Sequence, residues 1–264
     1  MPKFQTRVFR TVRILVLLAI LLAVGLTSWQ TSRRIAQWDL PLRVAVHPIA
    51  GDDSDTTRRY VAALTDRTFQ PVERFFDDEG SRHDVHSSFG QLVRIRKGGA
   101  VGEQPPPAPI DGNVLQIMWW SLRLRYWAWR VAPATTPAPD VTLFVVYFDP
   151  RRTESLEHSF GLEKGRIGIV NAFAADTMAG TNNVVVAHEL LHTVGATDKY
   201  DPRTREPRFP GGYAQPDASP RLPQRFAEIM AGRIPVSASE STLPPSLNAT
   251  LVGEATAREI GWAR

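Results

Sequence analysis

The residues best suited to chemistry are His188-Glu189-Leu190-Leu191-His192. Four residues of α-helix turn through about 400°, so both imidazoles project from one face and can reach a single ion. Glu189 follows the first histidine and can stand beside the ion's open position without ligating it. Metal-dependent amide hydrolysis uses a metal-bound water acidified to a pKa of about 7, a polarised carbonyl and a carboxylate that takes up and returns a proton. The pattern continues as His192-Thr-Val-Gly195-Ala-Thr-Asp198. Gly195 marks the helix end, where the chain must reverse if a residue three further on is to return to the ion. Asp198 has that spacing and is the expected third ligand, with Asp201 and Glu206 as alternatives. The plain structural reading is two surface histidines on a helix closed by a capping glycine.

The run from His188 to Asp198 resembles the metzincin zinc metallopeptidases, in the variant that ends in aspartate, as in snapalysin-like secreted bacterial enzymes. Metzincins also carry a Met-turn beneath the metal, and Phe226-Ala-Glu-Ile-Met230-Ala-Gly232, 32 residues after Asp198, looks like that turn. The resemblance implies one catalytic zinc held by His188, His192 and Asp198, with Glu189 as general base and Met230 packed below. It implies an α/β or α+β zincin fold: a twisted mixed sheet, an edge strand before the active-site helix, and an irregular C-terminal subdomain ending in a helix. The motifs cover residues 188–232; the rest of the chain agrees only in the order of its elements. Metzincins with a tyrosine two residues past the methionine use it near the metal, whereas Gly232 stands there in this chain. Tyr200 and Tyr213 are the substitutes on offer, although loop tyrosines more often pack.

The elements that must position these residues follow from patterning. Leu42–Pro48 alternates and reads as a strand, and Gln91–Arg96 as a second. Asp55 to Asp78 is loosely helical with an interruption at Pro71. Val114–Val131 reads as an amphipathic helix with its tryptophans packed and its arginines at the wet side, in preference to a partner or membrane-surface face. Val141–Phe148 is nearly all apolar, as in a strand covered on both faces. Arg166–Phe173 is a further strand, and Gly168 suggests that it lies at an edge. An extended substrate would then pair with residues 165–171. Val184–Val194 is the motif helix, residues 201–223 form a long proline-rich loop, and Ser246–Trp262 is the last helix. His83 and His86 are read as loop residues rather than a second metal site. Asp52, Asp53 and Asp55 resemble part of a calcium loop but lack its glycine and terminal glutamate, so they are read as a helix N-terminal cluster. Calcium, there or at Asp201, is the secondary cofactor expectation.

The 264 residues carry a formal charge of +4, but six basic and no acidic residues fall in positions 1–34. The remainder holds 25 basic and 27 acidic side chains, too balanced for a nucleic-acid-binding face. No cysteine is present, which excludes disulfides and thiolate chemistry. The uncharged run 14–32 would span about 28 Å as a helix. It predicts a signal anchor, or a cleaved signal peptide with small residues Ala23 and Gly25, over residues 1–34. Residues 35–264 would then be one exported metallopeptidase domain, periplasmic or extracellular, tethered to the membrane by its N-terminal helix. The expected function is zinc-dependent hydrolysis of protein or peptide substrates. The alternatives are a non-catalytic zinc-binding interaction module and a zinc amidase acting on cell-wall peptides.

Overall fold

The computed structural model of the chain describes residues 37–109, 112–132, 137–163 and 166–263. Four parallel strands and one antiparallel strand make the main sheet: β1 (Leu42–Ala50), β2 (Val93–Lys97), β3 (Val141–Phe148), β4 (Phe160–Leu162) and β5 (Ile167–Phe173). Their spatial order is β2-β1-β3-β5-β4, with β4 antiparallel to β5 and outermost. The class is mixed α/β, as the sequence predicts.

Side-chain alternation in β3 explains why its run is continuously apolar. Leu143, Val145 and Tyr147 face a core shared with helices α1 (Asp55–Ala63), α2 (Gln70–Arg82) and α4 (Ala179–Thr193). Phe144 and Val146 face the opposite side, where Leu124, Trp127 and Ala128 of α3 (Val114–Val131) cover the sheet. A strand sandwiched in this way has no wet face on which to place polar residues. The interruption in the 55–78 pattern falls at a 3-10 turn, Asp66–Phe69, and not at Pro71. Pro71 instead occupies the first turn of α2, where its missing N–H costs nothing. Asp55 opens α1 behind the cap Ser54, whose hydroxyl accepts from the Thr57 N–H.

Three expectations are corrected. Residues 167–173 are not an edge: β5 lies between β3 and β4, and the outer strand is the three-residue β4. Gly168 is small because a Cβ there would lie 2.5 Å from Leu143 Cδ2, a close-packing demand and not an edge signal. The predicted final helix shrinks to α5 (Glu254–Glu259), preceded by a 3-10 turn and the short strand β7 (Thr250–Leu251), which pairs with β6 (Ala227–Glu228). The expected single-pass membrane helix is also corrected to what is shown: among the described residues no helix is long and apolar enough to cross a membrane. The 18-residue α3 is long enough, but it carries Arg123, Arg125 and Arg130. The run 14–32 and the tail before it lie outside the described residues.

Candidate metal centre

Helix α4 runs five residues further toward the N-terminus than its pattern predicts, and it buries Val184, Val186, Ala187, Leu190 and Leu191 in the main core. That rigid seat turns His188 and His192 toward one point. Their Nε2 atoms are 3.1 Å apart, and each lies 3.2 Å from Asp198 Oδ1. Asp198 reaches them because the helix stops where expected. Gly195 adopts φ +109°, a left-handed conformation that favours glycine. The Ala196 N–H then closes the helix onto the Leu191 carbonyl at 3.1 Å.

Both imidazoles are fixed from behind. His188 Nδ1 lies 2.9 Å from the Ile229 carbonyl, and His192 Nδ1 lies 2.8 Å from that of Ala196. Each Nδ1 donates its proton to a carbonyl, so each Nε2 presents a lone pair. Two lone pairs and a carboxylate oxygen within 3.2 Å of one another repel unless a cation lies among them. The electrostatics show the same demand for positive charge, here met by a proton on an imidazole Nε2 that faces Asp198. Burial alone would lower the His188 pKa, yet Asp198 and the Glu189 charge raise it to about 9. Asp198 is held well below the ordinary carboxylate range: burial opposes this, but hydrogen bonds from His188 and His192 outweigh it. Neutral-imidazole and carboxylate donors of this kind suit zinc.

Glu189 is 4% exposed, and its Oε2 has no hydrogen-bond partner. A carboxylate oxygen of Glu189 lies within 4.8 Å of a nitrogen from each histidine. Burial raises its pKa, while His188 and His192 pull the other way. A buried carboxylate oxygen without a partner costs stability, so its presence here calls for a chemical reason.

The residues beneath the site form the tight turn expected around Met230. The N–H groups of Ala231 and Gly232 both bond to the Glu228 carbonyl at 3.0 Å, and Gly232 has φ +68°. Met230 is fully buried in the core that seats α4. The preceding residue supplies the carbonyl that orients His188, so this turn fixes a ligand as well as filling space. Buried Glu228 supports the turn, accepting from Ala231 N, Gly253 N and Thr256 Oγ1. Sequence reasoning missed Glu228, and no spacing signal marks it.

The cleft beside the histidines, about 350 Å³, is lined by Glu189, Tyr200, His158, Asn171, Arg205 and Gly232 among others. Tyr200 hydrogen-bonds Asp198; burial, then the charge of Asp198, pushes its phenol up to about 12. It therefore keeps its proton at neutral pH and can donate. Tyr213 instead bridges to Ala227 and meets Phe209 edge to face. Asp201 is not at the centre: its Oδ1 accepts from Arg203 N and Thr204 N, which caps the loop. Asp52 is likewise committed to backbone N–H groups, those of Ser54 and Asp149. Among the described residues, neither these aspartates nor His83 and His86 belong to a metal-capable cluster.

The outer strand meets this helix at Gly161. A Cβ there would stand 2.5 Å from the Glu189 carbonyl and 2.7 Å from His192 Cβ, so glycine lets β4 lie directly against α4. Comparison with known protein families and with curated proteins finds no match for this chain.

Proposed function

We propose that the chain is a metal-dependent peptidase, with zinc held by His188, His192 and Asp198. The single observation that carries this reading is Glu189, a buried carboxylate whose Oε2 has no hydrogen-bond partner, beside three converging donors. A site that only stored or sensed a metal would have no use for that carboxylate. When bound, the ion supplies Lewis acidity and lowers the pKa of its water.

The chain's own residues do the rest. Glu189 accepts the water's proton on a carboxylate oxygen and delivers it to the departing amine. Tyr200 donates a hydrogen bond toward oxyanion charge as the carbonyl is attacked. The free edge of β4 pairs with an extended peptide and lays its backbone across the cleft, which selects for extended chain and not for one sequence. The motif helix, the turn at Met230 and an outer strand packed on that helix support the reading, although the strand directly before the helix lies inside the sheet.

The test compares wild type with Glu189→Gln for metal content and for cleavage of casein and of purified peptidoglycan. About one zinc per chain in both proteins, with casein cleavage in wild type alone, is the expected result. Undiminished turnover by Glu189→Gln overturns the base assignment; cleavage confined to peptidoglycan makes the enzyme a cell-wall amidase instead.

A further inference from the structure

Helix α3 is apolar on two opposite faces. One face, with Leu124, Trp127 and Ala128, is buried on the sheet. The other carries Leu115, Met118, Trp119, Leu122, Tyr126 and Trp129, each 55–76% exposed. At about 100° per residue these six fall in a stripe roughly 100° wide, on the side of the helix away from the sheet. The helix contains no acidic residue, and Arg123, Arg125 and Arg130 flank the stripe. Arg130 is paired with Glu103. A helix apolar all round is ordinarily covered all round, and a stripe with three large aromatics is far from a scatter of single exposed residues.

We infer that this stripe is covered by the same stripe of a second copy, in an antiparallel two-fold pair centred on Leu122. Two observations point to self-pairing. The first is symmetry in the sequence: Leu115 and Trp129 lie seven positions either side of Leu122, and Met118 and Tyr126 lie four. That spacing allows an isologous contact about Leu122, because residue i of one copy then meets residue j of the other and the reverse. Leu115 falls opposite Trp129, Met118 opposite Tyr126, and Leu122 opposite itself, each a smaller side chain against a larger one except on the axis.

The second observation is area. A fully exposed aromatic offers about 150–250 Å², so the stripe supplies roughly 700–900 Å² per copy, close to the ~800 Å² per partner of an ordinary stable interface. Charge fixes the direction. In a parallel pair all three arginines would face their own copies. The antiparallel pair brings Arg125 level with Met118 and Trp119, and Arg130 level with Val114. Arg123 alone stays near its counterpart, so added salt should tighten the pair.

The chain has no cysteine, which makes single cysteines clean reporters. Sedimentation equilibrium of the full chain should give twice the monomer mass. Oxidation should link Leu122→Cys to itself, and Leu115→Cys to Trp129→Cys when the two variants are mixed. Leu115→Cys alone should not link, since 14 helical residues put its two copies about 21 Å apart. Leu122→Glu should restore monomer mass with an unchanged circular dichroism spectrum, because that position is exposed. A monomeric wild type overturns the proposal, whether free in solution or bound as a monomer to lipid vesicles. A dimer in which Leu122→Cys stays unlinked, or Leu115→Cys links to itself, overturns it equally.

Discussion

Gly161 offers a severe test of how the cleft is built. A methyl group there would sit 2.5 Å from the Glu189 carbonyl oxygen, whereas ordinary contact begins at 3.4 Å. Something must therefore move by about 0.9 Å. The carbonyl belongs to the middle of α4, which is locked into the main core, while β4 is three residues long and pairs on one side only. So in Gly161→Ala the strand moves and the helix stays. Overpacking of this kind costs about 1–3 kcal/mol, or a fall in Tm of roughly 2–12 °C for a domain of this size. The metal ligands ride on the helix and the Asp198 segment, so zinc content should hold at the wild-type value. A displacement near 1 Å in the strand that aligns the peptide should lower kcat/KM on the order of 10²-fold. Calorimetry, zinc analysis and peptide kinetics on one preparation check all three. A Gly161→Ala protein with wild-type Tm and wild-type kcat/KM would refute the contact between β4 and α4, and with it the assignment of β4 as the substrate strand.

Asp198→Ala should lower zinc affinity by at least about tenfold, judged by competition with a chelator, while Asp201→Ala leaves it unchanged. Gly195→Ala forces a side chain onto φ +109° and should cost about 1–3 kcal/mol in thermal unfolding. Gly99→Ala, with nothing within 4 Å of the added methyl, is the matched control. Tyr200→Phe should retain zinc and KM but lose kcat on the order of 10²-fold, the scale of one oxyanion donor. Asp52 gives a pH signature. Burial would raise its pKa, but hydrogen bonds from Asp149 N and Ser54 hold it at about 2. The stability it adds is fully present above pH about 4 and is lost as pH falls toward 2. Asp52→Asn should therefore be less stable at neutral pH and show a shallower fall in Tm across that window.

The site was far more legible in the sequence than the strand that serves it, and the reason is range. His188, His192, Gly195 and Asp198 sit within eleven residues, and one helical turn plus the reversal at Gly195 brings them together. Met230 was legible as a turn with glycine behind it. Phe160-Gly161-Leu162 is too short to show alternation, so nothing local declares a strand. Gly168 then drew the edge assignment to itself because a glycine fitted to Leu143 and a glycine at an edge are written alike. The two-faced character of α3 was present in the spacing of 115, 118, 122, 126 and 129, but a helix full of tryptophan suggests a buried one. Only the sheet's finite width shows that one face is left over.

The proposed metal centre is also less local than its motif suggests. The proposed ligands come from eleven residues, but what orients them comes from further away. His188 can offer Nε2 only because the Ile229 carbonyl occupies Nδ1, and that carbonyl is placed by a turn that Glu228 ties to Gly253 and Thr256. Asp198 is placed by its neighbour: Lys199 N bonds the Met230 carbonyl at 3.0 Å, and Lys199 Nζ meets Glu259 at 2.7 Å. The Met230 turn thus holds one ligand from each end of the motif, and α5 braces both holds. Weakening that brace should loosen both ligands together, so Glu228→Gln and Glu259→Gln should each lower zinc affinity although neither touches the ion. If their effects on affinity added as independent sites do, the two ligands would be positioned separately and the shared-brace account would fail.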